Sequence, residues 1–285
     1  MEVLCGLFGR HRQWYYRKIP VIYTEQQRSK LILEYVRFYR RLDPGMGGVK
    51  LRCILLEELG PDIVGGRDGF LALLGRNGLM LGRRKRFHTT DSTHPFHKYP
   101  NLVKNTEPTH CNEIWYADIT YIWIEGDVLY LHLITDGYSH AVIGWCLSES
   151  LSAEYTAAAL DNAIAGACGG NLCGTIHHSD RGSQYACHMY VGILMEHHIR
   201  ISMSEDYKPT DNAVAERMNG ILKTEWIYRI RQFRDKEEAG AEIRKMIRFY
   251  NYERPHMSIG MKIPMNVYRG EEPGMNLWKK TKKNL

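Results

Sequence analysis

What the 285-residue sequence lacks narrows its class first. It has no run approaching roughly 18 consecutive apolar residues, so a membrane-spanning helix is not expected, and the apolar stretch in the opening MEVLCGLFGRHRQWYYRK is too short for a secretory signal. A cytoplasmic protein without membrane partners is the expectation. Internal repeats and low-complexity tracts are absent, which sets aside fibrous and disordered classes; 44% hydrophobic and 25% charged residues is an ordinary globular composition, enough for one large domain or two smaller ones. The seven cysteines (Cys5, Cys53, Cys111, Cys146, Cys168, Cys173 and Cys187) are odd in number and scattered in a chain large enough to fold without staples, so a disulfide framework is not expected and most should be buried, reduced thiols. Gly45-Met46-Gly47-Gly48-Val49-Lys50 lacks the spacing of a P-loop and reads as a turn before a helix. His94 and His97 are too close together, with no Cys-x2-Cys after them, for a structural zinc module.

What is present is an uneven charge distribution. The net +6 divides into +9 over residues 1–100, −10 over 101–220 and +7 over 221–285. Basic flanks around an acidic centre suit a protein that holds a polyanion with its ends and places metal-binding carboxylates at its middle; an unevenly charged solvated surface would give the same numbers.

Apolar recurrence at three and four residues predicts helices over Glu25–Tyr39, Gly47–Leu59 and Asp68–Gly75, broken at Pro44-Gly45, Gly60-Pro61 and Gly65-Gly66. With Arg83, Arg84, Lys85 and Arg86 after them, they resemble a helix-turn-helix module with a basic strap, though a plain helical packing domain fits as well. His88 to Pro108 reads as a linker. From Cys111 the period changes. Asn112–Glu125 and Asp127–Asp136 read as a hairpin meeting at Gly126, and His140–Leu147 as a third strand. Then come a helix at Ala153–Ala167, a strand at Gly174–His178, a helix at Gln184–His197, a strand at Ile199–Met203, and helices at Asn212–Tyr228 and Lys236–Tyr252. Three strands followed by alternating helix and strand predict an α/β mixed sheet with helices on its faces.

Three acids in this second part could carry chemistry. Asp118 sits within an apolar strand, where an unpaired charge is expensive to bury; alternation puts it with Tyr116 and Thr120 opposite Trp115, Ala117, Ile119 and Tyr121, so a polar solvated face is the competing account. Asp180 follows the carboxyl end of a strand, where α/β sheets build sites, with Gly182 letting the backbone turn; an ordinary turn acid would look the same. His177 and His178 could ligate a metal, but strand-end histidines usually serve packing and hydrogen bonding. At about 100° per residue, Asn212, Glu216, Asn219 and Lys223 share one polar stripe of a helix capped by Asp211, facing away from Val214, Met218, Ile221 and Leu222. Three carboxylates from two strand ends and a helix could hold hard divalent cations through oxygen, and two ions about 3.5–4 Å apart can clamp an in-line phosphoryl displacement.

Several motifs in one order then become familiar: Trp115…Asp118-Ile119-Thr120-Tyr121, Asp136…Ser139 with Ile143-Gly144-Trp145, His178-Ser179-Asp180-Arg181-Gly182-Ser183-Gln184-Tyr185, Asp211-Asn212-Ala213…Glu216…Lys223…Glu225, and Tyr250-Asn251…Arg254-Pro255-His256…Gly260…Pro264. With 35 residues between Asp180 and Glu216, the segment from about Asn112 to Arg269 resembles the integrase catalytic core of the DDE transposases. More narrowly the chain resembles the second-frame (OrfB) transposase of two-frame bacterial insertion sequences. The resemblance implies a ribonuclease-H-like core with a mixed five-stranded sheet over 109–270, preceded by a helix-turn-helix-like region over 1–87 and a linker over 88–108, and followed by a basic tail over 271–285. It implies Asp118, Asp180 and Glu216 as the catalytic, metal-holding triad for two ions of Mg2+ or Mn2+. Lys223 becomes a contact to transposon-end phosphate, Asn212 a support of the site's edge, and Arg83–Arg86 DNA contacts. The implied reaction is 3′-end cleavage and strand transfer on terminal inverted repeats and target DNA, by a homo-oligomer associated with the nucleoid, with a first-frame (OrfA) protein as partner or fusion. A nuclease that cuts without joining and a non-catalytic DNA-binding regulator are the alternatives.

Overall fold

The computed structural model describes residues 12–81, 95–104, 106–167, 169–205, 213–229 and 232–274. Contacts cluster into two compact units, one within Met1–Gly82 and one within Arg83–Leu285. The basic segment Arg83–Arg86, His94 and the C-terminal tail lie outside the described residues.

The first unit is helical: α1 (Arg12–Leu42), α2 (Gly48–Leu59), α3 (Pro61–Val64) and α4 (Arg67–Arg76). Ile32, Val36 and Tyr39 of α1 are buried with Leu51, Ile54 and Leu55 of α2 and Phe70, Leu73 and Leu74 of α4. The expected first helix begins at Glu25, but α1 begins at Arg12; of the side chains described in these added turns, Val21 and Tyr23 are exposed. Gly60 and Gly65 flank the short α3 with φ of 78° and 73°, conformations that an L side chain rarely adopts. Arg52 donates to the Gly65 carbonyl through Nε and Nη2, and Arg28 donates to Ile63 O, so two arginines tie down this turn.

The second unit is built on β1 (Ile114–Ile124), β2 (Asp127–Asp136), β3 (Val142–Ser148), β4 (Ile176–Ser179) and β5 (Arg200–Met203), in spatial order β3-β2-β1-β4-β5. The pairs β1–β2 and β2–β3 are antiparallel; β1–β4 and β4–β5 are parallel. The expected mixed five-stranded sheet is therefore present. Its strands are connected or covered by α5 (Ala153–Ala165), α6 (Ser183–Ala186), α7 (His188–Glu196), α8 (Ala213–Ile221), a π-helical turn (Leu222–Ile227), α9 (Lys236–Tyr252) and the short α10 (Pro264–Tyr268).

The first half of the central strand, Ile114 to Ala117, is buried on both faces, so the competing account of a polar solvated face does not hold there. Trp115 and Ala117 join the main apolar cluster with Leu160 and Ala163 of α5 and Tyr190 and Leu194 of α7. Ile114 and Tyr116 point the other way into a smaller cluster with Val103 and Ile176, against which Val214 of α8 packs. Helix α5 lies so close to β3 that a Cβ on Gly144 would meet the Ala159 carbonyl at 2.2 Å. The helix expected over Gln184–His197 is broken at Cys187, whose backbone is extended. A continuous helix would put Tyr185 and Tyr190 about 140° apart; the break resets the phase and both rings are buried. Of the cysteines, Cys53, Cys111, Cys146 and Cys187 are half-buried and Cys173 is exposed, so the described thiols are free but not the buried set expected. No helix among the described residues is long and apolar enough to cross a membrane.

Candidate active site

The pairing of β1 with β4 brings the first two acids together. Tyr116 is level with His178, and the parallel pairing ends there; Asp118 lies two residues further along β1, and Asp180 two residues beyond His178, just past the end of β4. Both carboxylates therefore stand where β4 leaves β1, on the sheet face that α8 covers. Asp118 is half-buried, with Oδ1 accepting from its neighbour's Ile119 N at 2.9 Å and Oδ2 accepting from Asn219 Nδ2. Asp180 Oδ1 accepts from Gly182 N at 2.9 Å, which anchors the turn. Gly182 itself has φ −63°, so its backbone is ordinary and the turn does not depend on glycine's freedom.

Burial, then the charge of Asp180, push the Asp118 carboxyl up to about 7; the hydrogen bonds from Ile119 and Asn219 and the Lys223 ammonium oppose that rise. Lys223 is half-buried in the π-helical turn, and burial lowers its pKa while Asp118 holds it up. The hydroxyls of Tyr121 and Tyr185 both sense Asp180 and Asp118, which adds to the effect of their own burial in raising their pKa values. Two acids thus stand close enough for the charge of one to raise the pKa of the other. A bound divalent cation is the natural complement, because carboxylate oxygens are the donors that hard cations take. A further oxygen is at hand: Asn219 is 6% exposed and its Oδ1 has no hydrogen-bond partner among the described residues.

Of the other expected site residues, Glu216 stands on α8, one turn before Asn219 and two before Lys223, and its side chain lies outside the described residues. Asn212 and Asp211 also lie outside them, as do Arg83, Arg84, Lys85 and Arg86. Among the described side chains no three His, Cys, Asp or Glu residues form a metal-sized group. His177 and His178 serve packing: His177 Nε2 is hydrogen-bonded to the Tyr190 hydroxyl at 2.8 Å, and His178 Nδ1 to Ser202 Oγ at 2.8 Å, with its ring against the edge of Tyr116. Burial takes the His177 pKa down to about 3, so the ring is neutral.

Sequence reasoning placed Asn219 on the polar stripe but gave it no role, and its contact with Asp118 makes it part of the site. The stripe was the available signal. What it could not supply was the partner, 101 residues away in the chain.

Comparison with known proteins agrees with this architecture. Models of the integrase core domain match residues 108–209 and 197–264. The insertion element IS600 uncharacterized 31 kDa protein of Shigella sonnei is 33% identical over 262 residues, covering 90% of this chain and 94% of that one. The putative transposase for IS986/IS6110 of Mycobacterium tuberculosis strain H37Ra is 28% identical over 206 residues, covering 70% and 73%. The putative transposase InsK for IS150 of Escherichia coli K12 is 32% identical over 176 residues, covering 60% of each chain. Among solved structures, the HTLV-2 integrase catalytic core domain in complex with magnesium is similar at 20% identity and a TM-score of 0.43, covering 56% of this chain and 97% of that one. With two integrase-core matches running from residue 108 to 264 and a relative aligned over nearly its whole length, the chain belongs to the insertion-sequence transposases that carry an integrase core domain.

Proposed function

We propose that this transposase cleaves the 3′ ends of its element and joins them to target DNA, using Asp118, Asp180 and Glu216. The observation that carries the reading is the convergence of Asp118 and Asp180 at the point where β4 leaves β1, beside the helix that bears Glu216. These residues would hold Mg2+ or Mn2+, one ion or two, whose chemistry when bound is to sharpen the oxygen nucleophile and offset charge on the phosphate. In the cleavage step a water oxygen bonds to phosphorus and the bond to the 3′ oxygen breaks, which frees a 3′-hydroxyl and leaves a 5′-phosphate. In the joining step that hydroxyl oxygen bonds to a second phosphorus and displaces its 3′ oxygen. One phosphodiester replaces another, so no energy cofactor and no covalent protein intermediate is required. The chain's own task is to hold three carboxylates still, with Asn219 orienting Asp118 and Lys223 available to a phosphate oxygen.

DNA binding is assigned to the helical region of residues 1–87 with Arg83–Arg86, to the basic tail over 271–285, and to Lys223 and Asn212, with a linker over 88–108 and the catalytic core over 109–270. Arg37 and Arg41 support this assignment: both are exposed on α1, at a depression of about 560 Å³ that Glu34 and Arg40 also line. Two DNA ends must be brought together, so the active form is a homo-oligomer on the terminal repeats, with or without a first-frame protein. The test is cleavage and strand transfer on labelled element-end DNA with magnesium or manganese, for wild type and Glu216→Gln. Loss of both steps with DNA binding retained is the expected result. Cutting without joining by wild type would favour a nuclease, and binding without cutting, with the first-frame protein supplied, a regulator.

A further inference from the structure

The helix that carries Glu216 does not continue as an α-helix. At Leu222 it widens into a π-helical turn through Ile227, closed by Tyr228 N donating to Lys223 O at 2.8 Å. Wide turns of this kind are rare and concentrate at functional sites. This one begins one residue before Lys223, and its next residues are fastened to the end of α9. Trp226 is buried with its ring edge-on to Phe249, and Glu225 meets Arg254 through two parallel hydrogen bonds, from Nε at 2.6 Å and from Nη2 at 2.8 Å. The Arg254 side chain is 1% exposed and that of Glu225 12%.

Arg254 is itself held. Its guanidinium lies 5.2 Å over the Tyr250 ring, the Tyr250 hydroxyl donates to His140 O at 2.9 Å, and Asn251 pairs with both backbone groups of Val142, at the start of β3, at 2.8 and 3.0 Å. A continuous set of directional contacts thus runs from the sheet through α9 to the turn that bears Lys223. A buried ion pair is a poor way to gain stability, since apolar residues of similar size would serve as well. A guanidinium fork matched to a carboxylate instead accepts only one relative placement of two segments.

We propose that the Glu225–Arg254 bridge is a positioning clamp: it fixes the π-helical turn in the single register that presents the Lys223 ammonium to Asp118 and to a phosphate bound there. Neither residue touches the reacting groups; both act through Lys223. The proposal rests on the transposase reading of the site, and its test has one readout that does not depend on that reading.

Amine-reactive labelling of metal-free protein, followed by mass spectrometry, measures the accessibility of Lys223, with the exposed Lys245 on α9 as internal control. Arg254→Lys keeps the charge and removes the fork; Glu225→Asp is the second variant, in case the first does not fold. In variants that stay folded, Lys223 should label about tenfold faster while Lys245 is unchanged, and strand transfer should fall by about the same factor, the scale expected for a supporting contact. In a Lys223→Ala background Arg254→Lys should cost almost nothing more, because the clamp has lost the group it positions. Unchanged Lys223 labelling in both folded variants would overturn the proposal, and so would an equal loss of strand transfer in the two backgrounds. If wild type never joins strands but Lys223 labelling responds as expected, the clamp stands and the strand-transfer reading falls instead.

Discussion

Asp118, half-buried, and Asp136, fully buried, are two acids on neighbouring strands of one sheet, and they are treated differently. Asp136, at the end of β2, accepts from Ser139 N at 2.8 Å and Ser139 Oγ at 2.6 Å on one oxygen and from Asn112 N, just ahead of β1, at 2.8 Å on the other. Asp118 has Asn219 and the adjacent amide of Ile119, with a second acid facing it. Burial raises the pKa of both. In Asp136 the opposing hydrogen bonds come from Ser139, Asn112 and Tyr138, whereas in Asp118 the neighbouring Asp180 adds to the burial cost. What separates the two acids is the second carboxylate whose charge acts on Asp118.

The largest expected contrast is in catalysis. Asp118→Asn or Asp180→Asn should lower strand transfer by roughly a hundredfold or more, the scale for loss of one preorganised charged group, while Asp136→Asn should leave the rate per folded molecule unchanged. Labelled-end transfer assays check this, and an equal loss at Asp136 would erase the distinction. Stability should show the reverse order. Asp136→Ala leaves turn donors unpaired and should cost about 3 kcal/mol in denaturant melts, whereas metal-free Asp118→Asn should be at least as stable as wild type above neutral pH.

A smaller effect is expected at Asn219. Replacement by alanine removes a donor that holds the Asp118 carboxylate, and should weaken the apparent magnesium affinity about tenfold without unfolding the protein, as read from the metal dependence of cleavage.

The pH responses follow with their signs. The Asp118 pKa is raised to about 7 in the folded state, so its protonated form stabilises metal-free protein fully below about pH 4 and that contribution disappears as pH rises through 7. Magnesium competes with this proton, so its affinity should climb across the same window, and Asp180→Asn should move the window to lower pH. His177, depressed to about 3, behaves oppositely: its contribution is present above about pH 6.5 and is lost as pH falls toward 3. Urea melts at pH 4 and pH 7 on wild type and His177→Gln would separate the two, since the variant should lose the acid-side share of the difference.

Much of this was legible locally. The hairpin at Gly126, helix α9 from Lys236 to Tyr252 and the five strands follow from turn residues and apolar period. Periodicity reads only what is half-buried, however. It missed the first turns of α1, where Val21 and Tyr23 are exposed, and it ran through Cys187 and Leu222, where the backbone changes in order to bury Tyr185 with Tyr190 or to dock Trp226. The same limit applies to the site: Asp118, Asp180 and the helix of Glu216 could each be named, but each also fitted a solvated face or a plain turn when taken alone.

Residue order therefore settles which segments become strand or helix, where they turn, and which few acids stand within or just past an apolar strand. Only packing of the whole chain settles that β4 pairs beside β1, bringing Asp180 to Asp118 across 62 positions, and that Arg254 reaches back to Glu225. The physical reason is that backbone preference and amphipathic period act over a few residues, whereas the free energy that chooses among strand neighbours comes from burying both faces of a sheet at once, a quantity that no short window of sequence contains.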